Sequence, residues 1–414
     1  MSEVSRDRIL EFDLANPPED FRRDPFPWYS AMVAHAPVLP QPDGSFIISR
    51  HADLDMIYRD TERFSSDKRK PFEPKFGAGA PLYEHHTTSL VFNDPPLHTR
   101  VRKVMVGALN ARAIAAMEPG LANTIDMLLD GLARKENAGS GIDLVTDFAS
   151  RIPIQIIGNM FDMPMEDREP LRDWSLAILG ALEPSLSAEQ LKRGNDSVTE
   201  FKAYLSRLVA DRRRNMGDPE TDVLSRLILA ESGSEDGDYL TETELLQNCI
   251  FILNAGHETT TNLIGNALAL LAQHPEQKAA LIADPSLVHT AVDEFLRYLS
   301  PNQLGNRLTT CDVELSGMAV PAGTNLHLAI GAANRDPDQF PDPDKLDIAR
   351  KPNKHLAFAG GPHLCVGFQL ARMEGRIAIS RFLERFPDYR LLPGEQLEGR
   401  LRFRGYRHLP ARLR

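Results

Sequence analysis

The chain has 414 residues, of which 42% are hydrophobic and 25% charged, and this balance is ordinary for a globular protein with a large core. Its formal net charge of −11 argues against a nucleic-acid partner. The first residues lack the apolar segment of a signal peptide, and no later stretch approaches the ~20 uninterrupted apolar residues of a membrane span, so we expect a cytoplasmic protein without a membrane anchor.

The three cysteines, Cys249, Cys311 and Cys365, are far apart and odd in number. This pattern favours a reducing compartment and argues against a disulfide framework. The stretch richest in glycine, serine and acidic residues, 231–238, is short enough to be a surface loop, and nothing resembles an interdomain linker. We predict a single domain over residues 1–414.

The amino-terminal part of the chain predicts a β-hairpin and then a long loop. Residues 36–50 place two β-prone runs around a Pro-Asp-Gly turn, and a short helix follows over 51–59. Residues 65–89 show little periodicity, and a loop of this length is usually functional or mobile. The cationic residues from Lys68 to Lys75 can either neutralise a carboxylate or lie in solvent, and we favour the solvated surface.

The predicted helical core spans about residues 95–300. In its first helix, His98 and Arg102 are four residues apart and share one face, which suits an anionic group. Taken alone, such a pair is more often a solvated face. Further helical patterns cover residues 111–134, 147–161, 165–182, 188–216 and 222–231.

A long central helix is predicted from Thr241 to His274. It opens on the Ser/Thr-x-x-Glu form of a capping box, and at ~1.5 Å per residue it would be ~48 Å long. Residues 254–261 in its middle include Gly256 and three consecutive threonines, which are poor helix formers. Because threonine hydroxyls can bond to carbonyls one turn earlier, we expect a local bulge there.

The carboxyl-terminal part carries a Glu-x-x-Arg, a β-rich segment and a final helix. Glu294 and Arg297 have the spacing of an i,i+3 ion pair, which by itself is weak evidence of function. The β-rich segment covers about residues 305–330, and the helix covers about 365–386.

The stretch 358–367 places one cysteine behind a run rich in glycine and proline, just before a helix. The free N–H groups of a helix N-terminus stabilise the thiolate of Cys365. Gly361 and Gly367 allow the backbone to lie close to a flat cofactor, and Phe358 can shield the sulfur from water. This stretch alone leaves open the alternative of a buried, inert cysteine.

Here the sequence resembles the cytochrome P450 monooxygenases. Their haem-binding signature is an aromatic residue, small residues, a basic residue two before the cysteine, and Cys-x-Gly, and it is matched by Phe358, Gly361, His363, Cys365 and Gly367. Ala359 departs from the signature, which we expect to alter local packing and not ligation. The resemblance spans about residues 24–410. It implies a mainly α fold with a smaller β-rich lobe, and haem b between the long central helix and the cysteine loop.

The resemblance also implies a role for each matching residue. Cys365 is the axial ligand of the haem iron. The groups that anchor the haem propionates are His98, Arg102, Arg307 and His363. The acid–alcohol pair that manages protons, and the small residues beside it at the oxygen groove, are Glu258, Thr259, Ala255 and Gly256. Structural roles under the haem fall to Glu294, Arg297 and Arg335.

The implied reaction is reductive activation of O2, with one oxygen atom inserted into an organic substrate. Because no dinucleotide-binding or iron–sulfur sequence is present, the expected electron donor is a small acidic ferredoxin with a separate reductase, and we expect a monomer. Arg372 and Arg376 are candidates for the basic surface that docks this donor. Two alternatives stay open, a peroxide-driven peroxygenase and a non-catalytic haem sensor, and the acid–alcohol pair argues against the sensor.

Three amide side chains give a hint about the substrate. Asn254, Asn302 and Gln303 stand where apolar pocket residues are expected from the resemblance. A pocket with amide groups favours a substrate with a polar handle. We therefore predict a small oxygen-bearing aromatic or terpenoid substrate that is hydroxylated or O-dealkylated.

Overall fold

The computed structural model describes residues 4–232 and 239–414, so most of the predicted loop at 231–238 lies outside the described residues. The described residues are mainly helical, with four small sheets. None of the helices in these two ranges combines the length and the apolar content that a bilayer crossing requires.

The helices are α1 (Arg6–Leu10), α2 (Glu19–Arg23), α3 (Phe26–His35), α4 (His51–Arg59), α5 (Arg69–Phe76), α6 (Pro81–Thr88), α7 (Leu97–Ala108), α8 (Ala111–Asn137), α9 (Arg151–Met160), α10 (Pro170–Gly180), α11 (Ala188–Arg214), α12 (Val223–Leu229), α13 (Glu242–Gln273), α14 (Pro275–Ala283), α15 (Val288–Tyr298), α16 (Ile330–Ala333) and α17 (Phe368–Arg385).

The strands are β1 (Val38–Pro40), β2 (Phe46–Ile48), β3 (Phe64–Ser65), β4 (Ile142–Asp143), β5 (Leu304–Thr309), β6 (Val313–Leu315), β7 (Met318–Val320), β8 (Asn325–Ala329), β9 (Arg390–Leu391), β10 (Gln396–Leu397), β11 (Tyr406–His408) and β12 (Pro410–Arg412).

The largest sheet has the strand order β1-β2-β8-β5-β3 and joins strands from residues 38–65 to strands from residues 304–329. The predicted hairpin is confirmed, since β1 and β2 pair antiparallel with Val38 opposite Ile48. Strand β8 pairs parallel with β2 and antiparallel with β5, which places the β-rich segment near residues 305–330 beside the hairpin. The sequence did not predict the carboxyl-terminal strands β9 to β12, which are only two or three residues long.

Helix α13 is the centre of the helical core. It begins at the predicted capping box, in which the Thr241 hydroxyl accepts from the Glu244 backbone N–H and the Glu244 carboxylate accepts from Thr241. Its residues are buried on all sides over most of its length, and it packs against α9, α10, α11, α15 and α17. A helix that is apolar all round belongs in a core.

The prediction of a bulge in the middle of α13 is wrong, because the segment stays α-helical. The Thr259 and Thr261 hydroxyls donate to the carbonyl oxygens of Ala255 and His257, at 2.6 and 2.9 Å. These are the predicted bonds to the preceding turn, and the helix accommodates them without a break.

The prediction of a long loop over residues 65–89 is also wrong, since this segment contains α5 and α6. Four rings pack with centroid distances of 5.1–5.8 Å and join the two helices to the chain beyond them: Phe72, Phe76, His86 and Phe92. Both helices have eight residues, too few to be stable alone, so tertiary packing supplies the stability that their sequence lacks.

The Glu-x-x-Arg of α15 forms an ion pair with no exposed side-chain surface. Nε and Nη2 of Arg297 each donate to the Glu294 carboxylate at 2.8 Å. The second arginine at this carboxylate is Arg350, at 3.2 Å, which the sequence analysis missed. Arg335, which we had grouped with the pair, pairs instead with Asp344 and stacks between two aromatic rings.

We predict that Arg297→Met lowers the free energy of unfolding by about 3–5 kcal/mol, because it leaves the Glu294 carboxylate buried without its main cation. The measurement is denaturant unfolding of the haem-loaded protein. Arg385→Met makes the same replacement in an exposed pair with Asp130 and should change the stability by less than about 1 kcal/mol. Equal losses in the two variants would contradict the prediction.

Candidate functional site

A cavity lies between the middle of α13 and the loop before α17. The wall on the α13 side includes Ala255, Gly256 and Thr259, and the opposite wall includes Phe358 and Cys365. The fold thus brings together two segments that are about 100 residues apart in the chain. Other parts of the wall come from α7, the β5 strand and the carboxyl-terminal segment around residue 402.

Cys365 presents its side chain to this cavity. The thiol is free, and its backbone N–H donates to the carbonyl oxygen of Phe358 at 3.0 Å. Burial raises the pKa of the Cys365 thiol, and a hydrogen bond from the Gly367 backbone and the charges of Arg102 and Arg372 oppose that rise. A bound metal cation would favour the thiolate at this position.

Two residues of the cysteine loop adopt left-handed backbone conformations. Gly361 has φ +60°, and a Cβ there would collide with the backbone carbonyl of Tyr58, so the glycine serves close packing against the end of α4. Ala359 has φ +57°, a region that costs a residue with a Cβ about 1–2 kcal/mol. The departure of Ala359 from the family signature therefore places strain in the loop.

Four nitrogen-bearing side chains meet in the cavity wall: His98, Arg102, Arg307 and His363. The His98 and His363 ring centroids are 3.9 Å apart, with the ring planes tilted by 31°. Within the described chain, both ring nitrogens of His98, Nε2 of His363 and Nε of Arg307 lack hydrogen-bond partners. Burial, assisted by the neighbouring cations, lowers the pKa of His98 to about 4 and that of His363 to about 2. Both histidines are therefore neutral at pH 7 unless an anion binds between them and the arginines.

These residues fit haem b. The Cys365 thiol supplies a soft donor in the cavity wall, and the unsatisfied donors beside it match the carboxylates of two propionates. Gly367 adds an open space in the same wall, because a Cβ at this position would meet no atom within 4 Å.

The two residues of the predicted acid–alcohol pair lie in different surroundings. Thr259 lines the cavity, whereas the Glu258 carboxylate lies outside the wall and accepts two hydrogen bonds from Nη1 of Arg400, at 2.7 and 2.9 Å. Burial raises the pKa of Glu258 to about 7, partly offset by Arg400. The sequence could not reveal this partner, because Arg400 lies 142 residues further along the chain in an irregular segment.

The sequence analysis missed a carboxyl group that does lie in the wall. Glu374 lies on α17, and its Oε2 has no partner in the described part of the chain. Burial raises its pKa to about 8, opposed by a hydrogen bond with Thr260 of α13. The available signal was a single acid among the apolar residues of the buried helix face, beside Leu370, Met373 and Ala378.

Two of the three predicted amide groups face the cavity. Asn254 is 1% exposed, and neither its Oδ1 nor its Nδ2 has a hydrogen-bond partner among the residues described. Asn302 also lines the wall. The prediction for Gln303 was wrong, since its Nε2 donates to the Ser300 carbonyl at 2.7 Å and its side chain packs at Gly331, away from the cavity.

The preference for solvated surface at the cationic stretch is wrong for Lys68. Its side chain is 2% exposed and forms part of the cavity wall. Lys75 turns inward too, with Nζ 2.6 Å from the carbonyl oxygen of Glu183. No periodicity marks these lysines, so only the packing of α5 shows their direction.

Known proteins resemble this chain along most of its length. The family model "Cytochrome P450" matches residues 41–398. The chain is 34% identical over 378 residues to the biotin biosynthesis cytochrome P450 of Bacillus subtilis (strain 168), covering 90% of this chain and 91% of that protein. It is 38% identical over 378 residues to the vitamin D(3) 25-hydroxylase of Pseudonocardia autotrophica, covering 90% and 89%.

Solved structures agree with these relatives. The structure of P450BioI in complex with an acyl carrier protein ligated by hexadec-9Z-enoic acid matches with a TM-score of 0.87 at 32% identity, covering 95% of this chain and 99% of that chain. The structure of CYP109E1 from Bacillus megaterium in complex with testosterone matches with a TM-score of 0.85 at 30% identity, covering 96% and 99%.

We predict that Ala359→Gly raises the free energy of unfolding by about 1 kcal/mol, because glycine adopts the left-handed conformation without the Cβ clash. Denaturant unfolding of the haem-loaded protein measures the change. Ala357→Gly, at a neighbouring position without positive φ, should lower the stability instead. A fall in both variants would show that the Ala359 backbone is not strained.

Proposed function

Because the chain belongs to the cytochrome P450 family and is a haem b monooxygenase, we propose that it hydroxylates or O-dealkylates a small oxygen-bearing aromatic or terpenoid molecule. Its electrons come from a separate ferredoxin and reductase. The observation that carries the proposal is that Cys365, Thr259 and a set of unsatisfied donors share one cavity. Thiolate-bound haem supplies reductive activation of O2, with one atom entering the substrate and the other leaving as water.

The residues around the cysteine hold the cofactor. His98, Arg102, Arg307 and His363 bind the propionates by charge-assisted hydrogen bonds, which satisfy the donors that the fold leaves free. Arg372 lies over the Phe358 ring, with 4.9 Å from the guanidinium carbon to the ring centroid. This packing helps Phe358 to keep water from the Cys365 sulfur.

Protons reach the cavity through Glu258 and Thr259. With a pKa of about 7, the Glu258 carboxyl can both take up and release a proton at neutral pH. Glu258 and Thr259 are adjacent on the helix, so their side chains do not face each other. The Glu258 carboxylate therefore has to break its hydrogen bonds with Arg400 before it can reach the Thr259 hydroxyl. Arg400 is 20% exposed and connects Glu258 with solvent. Thr259 then presents the proton at Oγ1 inside the cavity.

A substrate oxygen would satisfy the amide of Asn254. A buried amide without partners is costly, and a carbonyl, ether or hydroxyl oxygen of the substrate offers the acceptor that Nδ2 lacks. One similar protein is named vitamin D(3) 25-hydroxylase, and another was solved in complex with testosterone.

The proposed ferredoxin surface lies on the cysteine side. Arg376 has Nη1 3.0 Å from the His289 ring and is placed for an acidic partner, whereas much of the Arg372 charge is used by Asp293 at 2.7 Å. The positive charge on this side acts mainly on the association rate, so electron transfer should slow as salt increases.

The function is tested by reduction under carbon monoxide and by turnover with a ferredoxin and its reductase. We expect the ferrous–CO band of thiolate-ligated haem in the wild type and its loss in Cys365→Ser. We also expect product with ferredoxin and O2 from a panel of oxygen-bearing aromatics and terpenoids. Product with peroxide and none with ferredoxin would favour a peroxygenase, and no product by either route would favour a sensor.

We predict that Thr259→Ala and Glu258→Gln lower the fraction of electrons that appear in product, with hydrogen peroxide released instead. The proton-donating form of Glu258 is lost as the pH rises through about 7, so the wild-type fraction should fall from about pH 6 to about pH 8. In Glu258→Gln it should stay low across this range. Unchanged product yield in Thr259→Ala would contradict the assigned proton route.

We predict that Asn254→Leu weakens binding of a terpenoid ketone by about tenfold, because its oxygen loses one hydrogen bond. The hydrocarbon of the same skeleton should bind at least as tightly as before and serves as the control. Ferric absorbance titration measures both affinities. Equal weakening for both ligands would mean that Asn254 does not contact the oxygen.

A further inference from the structure

One charged side chain in the cavity wall has no role in the proposed mechanism. Lys68 precedes α5, its side chain is 2% exposed, and its Nζ has no hydrogen-bond partner in the described part of the chain. A buried ammonium group without a partner is costly. Of the two alternatives that the sequence left open for the cationic stretch, solvated surface or neutralisation of a carboxylate, the buried position of Lys68 favours the second.

The carboxylates near Lys68 are engaged elsewhere. Asp67 pairs with Arg69, and Asp94 accepts hydrogen bonds from the Ser65 hydroxyl and the Ser66 backbone N–H. Both acids raise the pKa of Lys68 only as minor effects, after its burial and the nearby cations that lower it to about 7. Neither of these two carboxylates is therefore free to neutralise Lys68.

Two cationic side chains also lie near Lys68. Arg307 and Arg402 are the two cations that act on it most strongly. Arg402 is fixed by bonds to backbone, with Nε 3.1 Å from the Leu182 carbonyl oxygen and Nη1 2.6 Å from that of Leu304. The nearby acid, Glu183, accepts from the backbone N–H groups of residues 401 and 402.

The two haem propionates account for only part of the positive charge in the cavity wall. Those two carboxylates already have a set of donors in the wall, which consists of His98, Arg102, Arg307 and His363. Lys68 and Arg402 lie in the same wall outside this set, and Arg402 is held there by its bonds to the Leu182 and Leu304 carbonyl oxygens. Two propionates balance the charges of Arg102 and Arg307, so Lys68 and Arg402 leave an excess of positive charge in the cavity wall.

We propose that Lys68, assisted by Arg402, binds the carboxylate of the substrate, which is therefore an organic acid with an apolar body. This inference rests on the proposed monooxygenase function and names its substrate class. Lysine provides a point charge and arginine a planar pair of donors, a combination that suits a carboxylate. The wall beyond them is apolar and receives the rest of the molecule, with Val91, Phe92, Leu179, Leu182, Phe251 and Ile252.

The test compares acids with uncharged analogues of the same shape. The ferric haem-loaded protein is titrated with 4-butylbenzoic acid and 4-butylbenzamide, and with dodecanoic acid and dodecanamide, by absorbance and by calorimetry. At least one acid should bind the wild type about tenfold more tightly than its amide. Equal affinities within both pairs, or no binding of either acid, would overturn the proposal.

Variants at Lys68 test whether this residue causes the preference for the acid over the amide. Lys68→Met should weaken the acid by about tenfold and leave the amide unchanged, and Lys68→Arg should keep most of the preference. Lys70→Met, which removes an exposed lysine two residues away on α5, should change neither affinity. Equal weakening of acid and amide in Lys68→Met would overturn the proposal.

Two further measurements separate a haem carboxylate from a substrate carboxylate. If Lys68 held a propionate, Lys68→Met would speed haem loss to apomyoglobin and shift the reduction potential without any ligand, and this result would overturn the proposal. We expect neither change. The ferrous–CO band and turnover of uncharged substrates report on the monooxygenase function separately, so failure of the carboxylate site leaves those readouts intact.

Discussion

The buried ion pair between Glu294 and Arg297 is the interaction on which the position of the cysteine loop depends. Its remaining hydrogen-bond partners nearly all belong to one irregular segment and include the carbonyl oxygens of Asn334, Pro343 and Lys345, the backbone N–H of Asp347 and the side-chain amide of Asn353. Breaking a pair this deep leaves an uncompensated charge, so α15 and this segment keep one arrangement. Because α15 also packs against α13 and α17, the pair sets Cys365 opposite Thr259.

The cavity is recognisable by what its own residues leave unsatisfied. Buried polar groups in a folded protein are nearly always hydrogen-bonded, yet here imidazole, guanidinium, amide and ammonium groups converge without partners. Each of these groups needs a different kind of hydrogen-bond or charge partner. The donors near Cys365 need two carboxylates, Asn254 needs a neutral oxygen, and Lys68 needs an anion, so the wall describes both the cofactor and a polar substrate.

The sequence predicted features that depend on local spacing. The capping box and length of α13, the hairpin at 36–50 and the Glu294–Arg297 pair all follow from residues within a few turns of one another. The cysteine signature likewise lies within ten residues, and its one departure, Ala359, is where the structure has a left-handed backbone. Local patterns of this kind determined the fold class and the cofactor, and the family comparison agrees with both.

Only the tertiary structure decided what each polar side chain faces. Arg350 and Arg400 reach their carboxylates across 56 and 142 residues of chain, and no spacing rule covers such distances. The same holds for the directions of Gln303 and Lys68, which the sequence assigned to the wrong surroundings. Burial depends on the whole packed core, and the pKa of Glu258 and the need of Lys68 for an anion follow from burial. The sequence by itself therefore determined the chemistry of the cofactor, and the packing decided which protons and which substrate charge that chemistry meets.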